Sequence, residues 1–274
     1  MPRTEFKLSV KQADVLTFYC DVVLLKFAQS WHGADLSVSW KLQLGKGYDS
    51  HGSYLAPGEY RFLDTANQLN ARHVLIEGVP PLNEINYARI REFCKRSLIH
   101  LNQACPQAKH IAMTMHGANF GMDEKESFLS QIAGVLEALS QRDFLPQLEE
   151  ITFIELNEAR AKRMAAILEE NYSNKPKPEQ KQVQASVIAK AGLQNTERPH
   201  IFVAMPFSPE MEDVFIFGIQ GPVQEAGFLC ERVDMAIFTG DIIERIKSRI
   251  ETAALVIADL TGANANVYLE VGYA

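Results

Sequence analysis

The chain has 274 residues, 47% of them hydrophobic and 22% charged, with a formal net charge of −7. That length suits two domains, each able to bury its own core, and the acid excess argues against a nucleic-acid binder that works by bulk neutralisation of phosphates. No apolar run of about 18 residues is present to span a membrane, and no apolar segment before a cleavage site marks a secretory signal. Cys20, Cys94, Cys105 and Cys230 are scattered, without a metal-ligand spacing. Free thiols in a reducing cytoplasm are therefore expected, with no metal and no cofactor.

In chain order, Glu5 to Val10 opens as a possible strand, and Val22 to Phe27 is an apolar run that predicts a buried one. Tyr60 to Leu63, His73 to Glu77, His110 to Met115 and Ile151 to Leu156 have the same character. Helical patterns lie between them. Ile85, Ala88, Phe93, Leu98 and Leu101 share a face in a long helix from Glu84, and Phe128, Leu129, Ile132, Val135, Leu136 and Leu139 share another. Asp123 with Glu126 three residues on has the pattern of a capping box, and Asn157 can cap a third helix. Alternation of this kind implies α/β layering around a mostly parallel sheet.

Residues 171–199 carry two closely spaced prolines and no apolar period, the composition of a polar linker; Val183 to Ala191 alone could form a helical turn or two. Beyond it the alternation resumes. Ile201 to Met205 predicts a strand, and Ser208-Pro209 starts a helix with serine as cap. Gly227 ends that helix, and Phe228 to Val233 is a second strand. Thr239 can cap a helix carrying Ile242, Ile243, Ile246 and Ile250, and Ala254 to Ala258 is a third strand. The loop Asp259 to Asn266 then leads into a helix whose first turn would hold Glu270, where the macrodipole favours the ionised carboxylate. In such βαβαβ units ligands sit beyond the carboxyl ends of the strands. The loops after Met205, after Val233 and after Ala258 all meet there.

The segment Ala258 to Ala274 (ADLTGANANVYLEVGYA), with Thr261, Glu270, Gly272 and Ala274 at the family's spacing, resembles the active-site region of the nucleoside 2-deoxyribosyltransferase superfamily. Phe202 to Phe207 is similar to the opening of TIR-like nucleotide-processing domains of bacterial defence proteins. What the resemblance implies is a flavodoxin-like fold that cleaves the N-glycosidic bond of a nucleoside monophosphate or NAD+, with Glu270 as nucleophile. Asn264 stands where that family often has an acidic residue, so Asp259 and Asp241 are the substitutes for proton donation or base contact. Met205, Pro206, Phe207, Ser208, Thr261, Gly262, Asn264 and Asn266 would line the substrate pocket.

Before the linker, the order of elements resembles macro domains and the N-terminal domain of leucine aminopeptidases. The carriers are Asp21 to Lys26, His32 to Leu36, Arg72 to Val79 and the helix from Glu84. The resemblance implies a three-layer fold that binds ADP-ribose or a related nucleotide. Two glycine-bearing loops would hold it, with Gly33 and Asp35 in one and Gly117 and Asn119 in the other. His116 finds no partner in the sequence and is expected to be structural.

The expected arrangement is thus a macro-like domain over 1–170, a linker over 171–199 and a nucleoside deoxyribosyltransferase-like domain over 200–274. The last shows three of the roughly five strands of a flavodoxin-like sheet, so a truncated domain is expected. The function expected is a cytoplasmic nucleotide N-glycosidase coupled to a nucleotide-sensing domain, in an antiphage setting and as a homo-oligomer. The alternative is a non-catalytic nucleotide sensor or adaptor. The partner is in either case a nucleotide substrate or signal ligand, without membrane or nucleic acid.

Overall fold

The computed structural model describes residues 6–44, 55–118, 120–141, 144–172, 187–193, 198–233 and 240–274; the side chains of Asp241, Ile242 and Arg245 lie outside that description. Asn119 and the candidate cap Thr239 also fall outside it.

The first sheet is built from β1 (Lys7–Gln12), β2 (Val22–Phe27), β3 (Tyr60–Asp64), β4 (His73–Gly78), β5 (His110–Thr114) and β6 (Glu150–Glu155). Their order is β1-β6-β5-β2-β4-β3. Every pairing is parallel except that of the edge strand β3 with β4. β2 shows why the unit has three layers. Its six residues are all buried, and the two-residue period of a strand sends them to opposite faces. Val22 and Leu24 join the core formed with α2 (Tyr87–Ala104), α3 (Glu124–Leu139) and α4 (Glu158–Asn171). Val23, Leu25 and Phe27 join a second core under α1 (Gly33–Lys41).

The second sheet has the order β8-β7-β9, all parallel, from β7 (His200–Ala204), β8 (Leu229–Glu231) and β9 (Leu255–Ala258). This is the order of the first three strands of a flavodoxin-like sheet. Alternation works here too. Phe202 and Ala204 pack with Ile246, Ile250 and Val267, whereas Ile201 and Val203 pack with Met211, Phe215 and Val223. The helices are α5 (Pro209–Asp213), α6 (Gly221–Glu225), α7 (Gly240–Glu251) and α8 (Ala265–Tyr273). Between α5 and α6 the chain passes through a π-helical stretch, Val214–Gln220. Pro222 follows it, and a proline inside a helix has no N–H to donate and crowds the preceding turn; the widened turns sit where that strain would fall.

Several local expectations are corrected. α2 starts at Tyr87, not Glu84, because Asn86 caps it by accepting from Arg89 N at 2.9 Å, while Leu82–Glu84 forms a separate 3-10 turn. Asp123 accepts from Glu126 N at 2.9 Å, while Asp123 N donates to the Tyr87 hydroxyl and the Glu126 carboxylate meets Gly192 N and Arg198. Ser208 takes the N-cap position of α5 without a side-chain cap bond. α8 begins at Ala265, capped by Asn264, so Asn266 lies inside the helix and Glu270 in its second turn. Within the expected linker, residues 187–193 pack against the first sheet's helices, with Ile188 and Ala191 in its core. Gly192 (φ +78) fits there so tightly that a Cβ would come within 2.9 Å of the Tyr87 carbonyl.

The four cysteines are buried and free of disulfides. Burial pushes the thiols of Cys20, Cys94 and Cys230 up to about 12, which leaves no reactive thiolate at neutral pH. Among the described residues, no helix is long and apolar enough to cross a membrane.

Candidate functional site

At the carboxyl ends of β2, β5 and β6 a cleft of about 1030 Å³ opens, and the second sheet forms part of its wall. The first sheet supplies Asp14, Lys26, the start of α1 and the turn at His116-Gly117. The second supplies Phe207, Ser208, Pro209, Glu212 and Arg232. An antiparallel bridge from Phe120 to Val233 joins the two sides. A small apolar cluster of Tyr87, Ile90, Met122 and Leu229 lies across the same boundary.

The floor is charged. Lys26 is the one polar residue of the run Val22–Phe27. Its ammonium lies 2.6 Å from Asp35 Oδ2 and 2.9 Å from His116 Nδ1, and all three residues are buried. An ammonium only donates, so Nδ1 accepts and the neutral imidazole carries its proton on Nε2. Burial, and then the Lys26 charge, hold His116 well below its ordinary range. Gln131 fixes the turn by accepting from His116 N and donating to the Thr114 carbonyl, both at 3.1 Å. Gly117 (φ +96) is held between Ile90, Ser127 and Met122, which a Cβ would meet at 2.8–3.1 Å.

The cationic side chains of the wall are matched. Arg160 pairs with Glu124 at 3.3 Å and Glu155 at 3.4 Å. Arg232 lies 4.0 and 3.7 Å from the ring centroids of Phe207 and Phe215 and 3.4 Å from Glu212. Attraction for an anion therefore has to come from the backbone, and among the helices of the first sheet α1 is the element that offers it. Asn86, Asp123 and Asn157 cap α2, α3 and α4 with a side-chain oxygen. His32, the N-cap of α1, makes no such bond. Gly33 (φ +53), Ala34 and Asp35 line the cleft, with nothing within 4 Å of where a Gly33 Cβ would stand. The first N–H groups of a helix lack intrahelical partners and favour negative charge.

The expected site residues thus divide. Gly33, Asp35, Gly117, Phe207 and Ser208 line one cleft, although the Asp35 carboxylate is taken up by Lys26. Asn119 falls outside the described residues, as does the side chain of Asp241. Met205 is buried under the second sheet. Asp259, Thr261 and Glu270 are not part of the cleft lining. Asp259 Oδ1 accepts from Thr261 N at 2.8 Å, Gly262 turns at φ +72, and Asn264 accepts from Asn266 N at 2.9 Å and Val267 N at 3.4 Å. Glu270 is only 5% exposed, and burial pushes its carboxyl up to about 7, so desolvation, not the macrodipole, sets its protonation. No hydrogen bond or ion pair reaches its carboxyl group among the described residues. Sequence reasoning missed Asp14, Lys26 and Arg232. Only Lys26 carried a signal, as the lone charge in an apolar strand.

The fold and cleft define an α/β protein with a ligand-sized site where two sheets meet. No family model and no curated protein matches the chain. Among solved structures it is similar to a Trypanosoma brucei macrodomain at 17% identity and TM-score 0.48, over 59% of this chain and 66% of that one. It is similar to the Oceanobacillus iheyensis macrodomain with MES bound at 14% identity and TM-score 0.48, over 62% and 94%. The T. brucei macrodomain in complex with ADP-ribose aligns at 18% identity and TM-score 0.44, over 59% and 68%. The chain spans just under two thirds of the first of these.

Proposed function

We propose that this chain is a nucleotide-binding protein that seats its ligand in the cleft between the two sheets. The carrying observation is the start of α1: a helix terminus without a side-chain cap, opening on the cleft while its three neighbours are capped. Phosphate oxygens would accept from those N–H groups. Asp14 lies beyond β1, three strands from β2 in the sheet, about 14 Å away at the usual strand spacing. One of its carboxylate oxygens accepts from Leu16 N, and the other would accept from the amino group of a base. The volume is at the upper end of the about 300–1,000 Å³ usual for ligand sites. Calorimetric titration with AMP, ADP and ADP-ribose tests this reading. Binding that rises with the number of phosphates and is lost in Gly33→Asp, which sets a carboxylate at the helix start, is the expected result. Absence of binding by all three overturns it.

The buried carboxyl of Glu270 favours a second reading. A carboxyl held near neutrality with no side-chain partner among the described residues suits the nucleophile or acid of an N-glycosidic cleavage. In this reading residues 200–274 form a catalytic domain and 1–170 its nucleotide sensor, joined by 171–199, and Asp259 shapes the loop ahead of the nucleophile. Release of free base from nucleoside monophosphates or NAD+, abolished by Glu270→Gln, is the expected outcome. Base release undiminished in that variant excludes Glu270.

A further inference from the structure

A chain of alternating charges, Glu155–Arg160–Glu124–Arg163–Glu212–Arg232, joins the two sides of the cleft, from β6, α4 and α3 across to α5 and the residue after β8. Its links are unequal. Arg163 holds Glu124 with two bonds, Nε to Oε1 at 2.7 Å and Nη2 to Oε2 at 2.9 Å, the lengths usual between charged partners. Glu212 straddles two guanidinium groups and closes on neither: Arg163 Nη2 lies 3.5 Å from its Oε1, and Arg232 Nη2 lies 3.4 Å from its Oε2. It is also the most exposed carboxylate of the chain, its side chain 30% exposed against 10% for Glu124 and 12% for Glu155. Glu212, Arg160 and Arg232 all line the cleft, and with Glu124 and Arg163 they also line a chamber of about 20 Å³.

Arg232 is matched in the free chain, but by a partner that can be bettered. Phe207 and Phe215 stack on its guanidinium group, so its hydrogen bonds have to be made in the plane of that group. There Nη1 meets the Met205 thioether, a weak acceptor, at 3.6 Å, and Nη2 meets the distant Glu212 oxygen. A carboxylate fixed to α5 stops short of both of its cations. A phosphate group is not tethered, carries more charge and has three acceptor oxygens to share between two guanidinium groups. The place that Glu212 would vacate opens on the cleft, because Glu212 lines it. We propose that Glu212 is an exchangeable internal anion: a phosphate group entering the cleft displaces it and is bound by Arg232 together with Arg163. This inference rests on the reading of the cleft as a nucleotide site, and adds to it a second phosphate contact and a built-in competitor.

Calorimetric titration of the full chain with ADP and with inorganic pyrophosphate tests it, in wild type, Glu212→Gln and Asp213→Asn. Asp213 is the next residue, exposed and outside the cleft lining, so its variant removes the same charge nearby without unmasking an arginine. Glu212→Gln is expected to bind both ligands about tenfold or more tighter than wild type, and Asp213→Asn to stay within about twofold of it. Adding Arg232→Gln to Glu212→Gln is expected to remove the gain. Glu212→Asp keeps the charge on a shorter arm; it gives a smaller gain in the same direction and stands in if the amide variant does not fold. The inference is overturned if Glu212→Gln binds no tighter than wild type, if Asp213→Asn gains as much, or if the gain survives the loss of Arg232. The two ligands separate this result from the nucleotide reading. Wild type that binds ADP while Glu212→Gln brings no gain refutes the exchange alone. A gain for pyrophosphate in a chain that binds no ADP refutes only the nucleotide reading.

Discussion

The hydroxyl of Tyr87 donates to Glu231 Oε1 at 2.8 Å and so ties α2 of the first sheet to β8 of the second. The Tyr87 hydroxyl oxygen in turn accepts from Asp123 N at 2.9 Å, and Arg249 Nε donates to Glu231 Oε2 at 2.6 Å. Burial, then the nearby carboxylates of Glu231 and Asp123, hold the phenol well above its ordinary range, so it remains a donor at any pH of interest. Tyr87→Phe keeps the ring and orphans a buried carboxylate oxygen and a buried N–H. The expected cost is about 1–3 kcal/mol, read from urea denaturation monitored by fluorescence. A loss below about 0.5 kcal/mol, the range of surface substitutions, would mean that the boundary does not depend on this bond.

The Lys26–Asp35 pair predicts strong coupling. Both groups are buried, at 8% and 2% exposure, and removing one partner strands the other's charge. Asp35→Ala and Lys26→Met are each expected to cost about 3–5 kcal/mol, and the double variant much less than their sum. A double-mutant cycle by chemical denaturation gives the coupling directly. Additive losses would contradict the pair as the organiser of the cleft floor.

What the sequence allowed and what it withheld separate along one physical line. Signals that act within a few residues were legible: the apolar run Val22–Phe27 as a buried strand, the Asn157 cap, the turn at Gly227 (φ +87). The start of α8 was misplaced because Asn264 and Asn266 are both good caps, and only the backbone decides between them. That two-residue choice moved Glu270 from the first helical turn to the second and reversed the reasoning about its charge. The composite cleft was not legible at all. It depends on Phe120 meeting Val233 and on Arg232 stacking between Phe207 and Phe215, contacts between segments whose sequences carry no mutual pattern. No partner for His116 could be identified in the sequence for the same reason: Lys26 reaches it from another strand.

Two cleft glycines make a contrasting pair. At Gly33 an added Cβ meets nothing within 4 Å, so Gly33→Ala carries only the backbone penalty of a left-handed residue, about 1–2 kcal/mol. At Gly117 the backbone is as unusual (φ +96), and the Cβ also runs into Ile90, Ser127 and Met122. Gly117→Ala is expected to cost at least about 2 kcal/mol more, the clash adding to the strain. Thermal melts of the two variants rank them. Equal losses would show that the turn relaxes freely and does not fix His116.

Glu270 gives the protein a pH signature. Its carboxyl is pushed up to about 7 from an ordinary 4.5 by desolvation. Between those values the folded chain holds a proton that the unfolded chain has released, so this group's contribution to stability falls as pH rises from about 4.5 through about 7. His116 works in the opposite sense and in a lower window. Its folded value lies well below 6.5, so its contribution is complete above 6.5 and fades as pH falls toward the folded value. The comparison of wild type with Glu270→Gln cancels the histidine, which both proteins share. Wild type minus variant melting temperature is therefore expected to decline steadily between pH 4.5 and 7 and to level off above that. Parallel curves across that range would mean that the Glu270 carboxyl is solvated in the folded state, and the case for it as a proton-holding group would fall with that result.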